Sequence, residues 1–314
     1  MQKIPVLIDC DPGTDDIAAL LLAKQIECFD VKAVTTVAGN VGLDFTTKNA
    51  LQLLAFMDWD VPFAKGADKP LIRALETAED VHGISGMRGL TLPETDRAPL
   101  DMPAWDLLYK VAGENKGTLE VIAVGPLTNI AIALAKYPEL VSWIRRIVIM
   151  GGAFLAGNTS PAAEFNIYVD PEAAERVFTS GIPFYLCPLD TTHEAYLTEE
   201  ELIEIGRLGS KEAKFFCDIS LAGLDVGKRY TAGRGTPLHD PLALLFAADS
   251  SYCTVKECFI GVETEGSITR GKTVTDCYSD KKFENNAFLV ETVDRNAFLA
   301  HIKQLMSRYA QPPL

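Results

Sequence analysis

Short runs of branched apolar residues alternate along this chain with longer stretches in which apolar residues recur every third or fourth position. Val6, Leu7 and Ile8 make the first run, the pattern of a strand buried on both faces. Ile17, Ala18, Leu20, Leu21 and Leu22 then follow at helical spacing. The rhythm repeats as a strand over 31–37, a helix over 44–57 and a short strand over 61–64. It resumes with strands at 119–124, 147–150 and 184–187, separated by helices at 129–136 and 171–180. Further helices are expected over 199–206, 211–224 and 242–248, then edge strands near 259–263, 273–276 and 287–290 and a closing helix from Arg295. Strands alternating with helices in this way predict the α/β class, with a central, mostly parallel sheet, mixed at its edge, and right-handed crossovers.

The pattern lapses in three places. Residues 68–103 are rich in Gly, Pro and charge and contain His82-Gly83-Ile84-Ser85-Gly86. Loops this long in a compact domain usually serve as lids or binding segments. The Gly- and Arg-rich stretch within 225–238 is a second lid-like loop, and 158–170 reads as a polar loop carrying Glu164, Phe165 and Asn166. Neither a linker nor an internal repeat divides the chain, so residues 1–314 are read as one domain.

The first strand ends in Asp9-Cys10-Asp11-Pro12-Gly13-Thr14-Asp15-Asp16, four aspartates within eight residues. In open α/β sheets, ligands bind at such strand ends. A helix N-terminus stabilises an acid there by only ~0.3–1 kcal/mol. Capping, with Thr14 as a candidate N-cap, accounts for one or two of the four. A hard divalent cation offsets their repulsion far better, and oxygen ligands without paired Cys or His suit calcium or magnesium.

Composition narrows the functional classes. With 48% hydrophobic and 23% charged residues, this is the make-up of an ordinary globular protein. A net charge of -14 argues against nucleic acid and anionic membranes as partners. No stretch approaches the ~18–20 apolar residues of a membrane span, and an amino end with one Lys running straight into a strand predicts no signal peptide. Seven scattered cysteines without a Cys-x-x-Cys pair predict reduced thiols and a cytoplasmic location.

A parallel sheet would bring Asp11, Asn40, Met150, Glu164, Asn166, His239 and Asp240 to one edge. Taken singly, Asp240 reads as a helix cap and His82 and His239 as structural histidines. Beside a four-aspartate cluster in need of ligands, Asp240 becomes a candidate ligand.

The segment Asp9 to Asp16 resembles the signature of the inosine–uridine-preferring nucleoside hydrolases. The similarity continues in Thr35-Thr36-Val37-Ala38-Gly39-Asn40, His82-Gly83, Gly125-Pro126-Leu127-Thr128-Asn129, Met150-Gly151-Gly152, Glu164-Phe165-Asn166 and His239-Asp240-Pro241. The resemblance implies hydrolysis of the N-glycosidic bond of ribonucleosides to ribose and free base, with a bound calcium. It implies Asp11 as calcium ligand and general base. Asp16, Asp240 and the backbone carbonyl of Val124 would complete the metal set. Asp15, Asn40, Asn158, Glu164, Asn166 and the Met150 region would hold the ribose, with Asp9 behind them. His239, helped by His82, would serve the leaving base, which could stack on Phe165 or Tyr230. A homodimer or homotetramer is the implied assembly. Val124 stands where some members carry Thr, a change without consequence if only the carbonyl is used.

The chemistry of the reaction agrees with those residue types. Cleaving a C–N glycosidic bond passes through an oxocarbenium-like cation, which a ring of carboxylates stabilises. Calcium lowers the pKa of water only modestly, so a carboxylate base beside it is needed. Two rivals fit worse. In a haloacid-dehalogenase-type magnesium phosphatase, Asp9 and Asp11 would be nucleophile and acid, but Gly13 stands where that family wants Thr or Val. A non-catalytic calcium or nucleoside binder of EF-hand type fails because the twelfth position counted from Asp9 is Leu20, and from Asp11 it is Leu22.

Overall fold

The computed structural model describes residues 3–277, 280 and 282–310. Strand β1 (Ile4–Cys10) leads into α1 (Thr14–Ala23), β2 (Phe29–Thr36), α2 (Leu43–Phe56) and β3 (Phe63–Lys65). A single short turn, α3 (Glu79–His82), interrupts the long loop before α4 (Ala104–Glu114). Then come β4 (Leu119–Ala123), α5 (Thr128–Lys136), α6 (Leu140–Trp143), β5 (Ile144–Met150), α7 (Phe165–Val169), α8 (Pro171–Phe178) and β6 (Phe184–Cys187). The chain continues through α9 (Leu189–Thr192), β7 (Tyr196–Leu197), α10 (Glu199–Gly206), α11 (Lys211–Ala222), α12 (Leu224–Tyr230), β8 (Thr236–Pro237) and α13 (His239–Ala248). It closes with β9 (Cys253–Val262), β10 (Thr273–Asp276), β11 (Ala287–Val293) and α14 (Arg295–Arg308).

Nine strands form one sheet in the order β10-β9-β11-β6-β5-β4-β1-β2-β3. Neighbours from β11 through β3 are parallel, and β9 and β10 join antiparallel at one edge. This is the expected α/β fold with a mixed edge. The period-two alternation of buried strands splits the core into two layers. Ile8, Ile122 and Val148 pack with Leu20 of α1, Phe216 of α11 and Leu244 of α13. Leu7, Val121 and Ile147 face the other way, with Leu107 of α4, Ile130 of α5 and Val177 of α8. Each such side chain stabilises the fold by about 1.5–3 kcal/mol through burial alone.

Parallel pairing puts the carboxyl ends of β1, β2, β4 and β5 on one edge of the sheet. Asp9 lies opposite Thr35 on β2 and Ala123 on β4.

Two local expectations change. The stretch 225–238, read as a loop, opens with the helix α12 and ends in the two-residue strand β8, which pairs with β7. Gly227 weakened the helical pattern there, yet a Cβ at Gly227 would meet Thr236 and Pro237 at 2.8–2.9 Å. The glycine is there for close packing, not for a flexible turn. The polar loop 158–170 likewise contains the short helix α7.

Candidate active site

The turn after β1 is built on backbone donors and carboxylate acceptors. Gly13, not Thr14, is the N-cap of α1, and Asp16 reaches back into the turn. Its Oδ1 accepts from the Asp11 backbone N–H at 2.9 Å and its Oδ2 from the Gly13 N–H at 3.0 Å. Asn40, just past β2, ties this turn to the next strand. Its backbone N–H donates to Asp11 Oδ2 at 2.7 Å, and its side-chain amide donates to the Asp11 carbonyl at 3.1 Å and to Asp16 Oδ2 at 3.0 Å. Gly39 and Gly125 make room for Asp11. A Cβ at Gly39 would fall 2.1 Å from Asp11 Oδ2, and one at Gly125 would fall 2.7 Å from Oδ1. Beneath them Asp9 Oδ1 accepts from Thr35 Oγ1 at 2.5 Å and Asn129 Nδ2 at 2.8 Å.

Asp240 enters from α13. The N-cap there is Leu238, so Asp240 does not cap its own helix by a side-chain bond. Its backbone N–H donates to Asp15 Oδ2 at 3.0 Å, locking α13 onto α1. On the β5 side, the Asn166 amide donates to the Val124 carbonyl at 2.9 Å and the Met150 carbonyl at 3.2 Å. Glu164 caps α7, accepting from Asn166 and Ile167, and also from the Gly152 N–H at 2.9 Å. Asn158 Oδ1 accepts from the Phe165 N–H at 2.9 Å.

The expected sugar and base contacts Asp15, Asn40, His82, Met150, Asn158, Glu164, Phe165, Asn166 and His239 line one cavity of about 140 Å³, with Val124 and Asp240. Asp11 and Asp16 are fully buried and lie beneath its floor. Tyr230, Ala78, Val81, Ile219, Ser220 and Val226 also lie on the wall, as do Thr14, Thr159 and Thr236. Sequence reasoning passed over most of these because they sit at ordinary helical positions.

Both histidines of the cavity are held neutral. His82 Nδ1 accepts from the Thr14 N–H at 3.1 Å, which leaves any ring proton on Nε2. Burial, with Arg88 adding to it, lowers its pKa to about 4. Burial, and then the nearby His193 and His82, lower that of His239 to about 3. Thr192 Oγ1 lies 2.6 Å from His239 Nδ1, a partner that nothing in the sequence marked. His193 packs edge-on to His239 and stacks on Tyr230 at centroid distances of 5.5 and 5.4 Å.

The carboxylates behave in the opposite sense. Burial, reinforced by Asp16, drives Asp11 well above the ordinary range. Burial also raises Asp15 to about 8, Glu164 to about 7 and, with Asp15, Asp16 and Asp11 beside it, Asp240 well above normal. None of these acids has an ion-pair partner among the described residues. Asp11 Oδ1, Asp15 Oδ1 and Asp9 Oδ2 are buried without a hydrogen-bond partner. No three His, Cys, Asp or Glu side chains among the described residues form a ready-made cation cage. The fit to a metal rests on those unpaired oxygens and on the repulsion itself, which neutral donors alone do not relieve. A hard cation bound by oxygen fits that chemistry.

The family model for inosine-uridine preferring nucleoside hydrolase matches residues 6–300. The chain is 42% identical over 315 residues to the pyrimidine-specific ribonucleoside hydrolase RihA of Klebsiella pneumoniae subsp. pneumoniae, covering 98% of this chain and all of that one. It is 42% identical over 311 residues to RihA of Escherichia coli O1:K1, again over 98% of this chain and all of that one. Among solved structures, a plant nucleoside hydrolase superposes with a TM-score of 0.91 at 34% identity, covering 97% of this chain and 99% of the other. The purine-preferring ribonucleoside hydrolase from Gardnerella vaginalis gives 0.91 at 30% identity over 98% and 99%.

Proposed function

We propose how this chain, which belongs to the inosine–uridine preferring nucleoside hydrolase family and hydrolyses the N-glycosidic bond of ribonucleosides, performs that reaction and on which bases. The metal is calcium, held by Asp11, Asp16, Asp240 and the Val124 carbonyl. When bound, it supplies positive charge that offsets these acids and binds water and sugar hydroxyls. The observation that carries the assignment is the unpaired, buried Asp11 Oδ1 above Asp16, beneath the floor of the cavity.

Asp11 takes the proton of the attacking water. Burial beside Asp16 raises its proton affinity, and the charge of a bound cation would offset that shift and keep Asp11 the carboxylate that a base must be. Asp15, Asn40, Asn158, Glu164 and Asn166 orient the ribose, Glu164 and Asp15 accepting from its hydroxyls. As the C–N bond lengthens, positive charge grows on the sugar and these buried carboxylates stabilise it. His239 faces the departing base as a neutral imidazole, so it donates a hydrogen bond rather than delivering a proton from a standing imidazolium. Phe165 and Tyr230 supply the aromatic surface against which the base packs.

The substrates are pyrimidine ribonucleosides. The two RihA enzymes of 42% identity support this reading. Steady-state release of base from uridine, cytidine, inosine and adenosine tests it, and higher kcat/KM on the purines would overturn it. Calcium is tested by calorimetric titration of chelator-treated protein. Tight binding of calcium that Asp240→Ala removes is expected, whereas tighter magnesium binding would refute the assignment. We further assign the protein to the cytoplasm as a homodimer or homotetramer, supported by seven free cysteines and by exposed Ile72, Ile84, Leu155 and Ile268 on the loops. A monomeric mass by light scattering would overturn the assembly.

A further inference from the structure

Among the described side chains that line the cavity, two carry a buried polar atom without a partner: Asp15 Oδ1 and Ser220 Oγ. The first belongs to the carboxylate floor, and the floor gives no account of the second. Ser220 lies in the last turn of α11 and is only 3% exposed. Its carbonyl is occupied, accepting from Thr236 Oγ1 and the Gly223 N–H, each at 3.3 Å. Its hydroxyl has not turned back onto the preceding turn of its own helix, the usual resort of a helical serine. The neighbouring cavity wall, Ile219, Gly223, Val226 and Gly227, is apolar or without a side chain. Buried hydroxyls are nearly always paired, so an unpaired one on a residue of the binding wall marks a partner that arrives with the ligand.

We propose that the Ser220 hydroxyl is a specificity-determining contact to the exocyclic group at C4 of a pyrimidine base, donating to the carbonyl of uracil and accepting from the amino group of cytosine. The proposal rests on the pyrimidine ribonucleoside reading above. A hydroxyl is donor and acceptor at once, so it accepts either base without choosing between them. Nδ1 of each cavity histidine is already engaged, by Thr14 and by Thr192, so each offers the base only its Nε2. Ser220 belongs to the α11–α12 wall and the ribose-binding acids to the floor, so the serine is placed to meet the base. A base lacking the C4 substituent leaves the hydroxyl as unpaired as it is in the free protein.

The test compares Ser220→Ala with the parent chain on uridine, cytidine and the riboside of pyrimidin-2-one, which carries only hydrogen at C4. Differences in leaving-group ability cancel when each substrate's kcat/KM is expressed as a ratio of variant to parent. Loss of one neutral hydrogen bond predicts a fall of about 3- to 10-fold on uridine and on cytidine. On the pyrimidin-2-one riboside the change should stay within about two-fold, and the melting temperature should hold or rise, because an unpaired buried hydroxyl has been removed. An equal loss on all three substrates would show a structural serine, and no loss on any would show an idle one. Either result overturns the proposal while leaving the pyrimidine reading intact. A parent chain that hydrolyses neither uridine nor cytidine overturns that reading and the Ser220 contact with it.

Discussion

Two ends of the same sheet bury carboxylates in opposite ways. At the amino end of β4, Glu120 is completely buried, and the chain supplies its counter-charge: Arg146 at 2.8 Å and Arg145 at 3.3 Å. At the carboxyl end, Asp11, Asp15, Asp16, Asp240 and Glu164 share one region without an ion-pair partner among the described residues. Burying an uncompensated charge costs several kcal/mol. In the first arrangement the charge is balanced within the fold, although neither Glu120 oxygen accepts a hydrogen bond. The second is finished only when something positive arrives, first a cation and then the developing charge on a ribose. The difference separates a carboxylate that serves stability from carboxylates that serve catalysis.

Substitutions sharpen that contrast. Asp11→Ala should remove nearly all turnover on every nucleoside: losing a general base costs ~10²–10⁴-fold, and damage to the metal set adds to it. The melting temperature without calcium should fall little, because a repelling charge has gone; a large loss of stability with partial activity retained would undo the contrast. Arg146→Ala should do the reverse. It leaves Glu120 short of its nearer partner and should cost about 3–5 kcal/mol in denaturant unfolding, with kcat unchanged.

His239→Ala divides the site itself. Because the imidazole is neutral and offers a hydrogen bond to the charge developing on the departing base, its loss should slow uridine about 10²-fold. On p-nitrophenyl riboside, whose phenolate departs unaided, the loss should be under about 10-fold. An equal loss on both substrates would mean that His239 only positions Asp240.

The smallest expected effect is a pH dependence at His82. Its folded pKa of about 4 lies below the unfolded value near 6.5. The unfolded chain therefore binds the extra proton, and stability from this group is complete above about pH 6.5 and lost as pH falls toward 4. The buried acids act in the opposite sense over part of this range, so the variant must be compared with the parent. His82→Gln should lose less stability on acidification, by about 1–3 kcal/mol. Parallel pH curves for the two proteins would show that His82 titrates normally.

Fold class was legible in the chain because buried parallel strands must be apolar on both faces and their crossover helices must carry a 3.6-residue stripe. Val6 to Ile8 and Ile17 to Leu22 state that alternation without reference to anything distant. The aspartates of the first turn were equally plain, since four acids in eight residues demand an explanation wherever they fold.

Tertiary structure decided what depends on partners far apart in sequence. It set the Asp240 backbone against Asp15, 225 residues away. It set Thr192 against His239 and Thr14 against His82. It made a helix of 224–230, where Gly227 had suggested a loop, because packing on Thr236 and Pro237 leaves no room for a side chain. It also left the Ser220 hydroxyl bare beside the cavity. Periodicity records which face of an element is buried. It is silent on which polar atom in that face lacks a partner, because pairing is a property of three-dimensional neighbours and not of spacing along the chain.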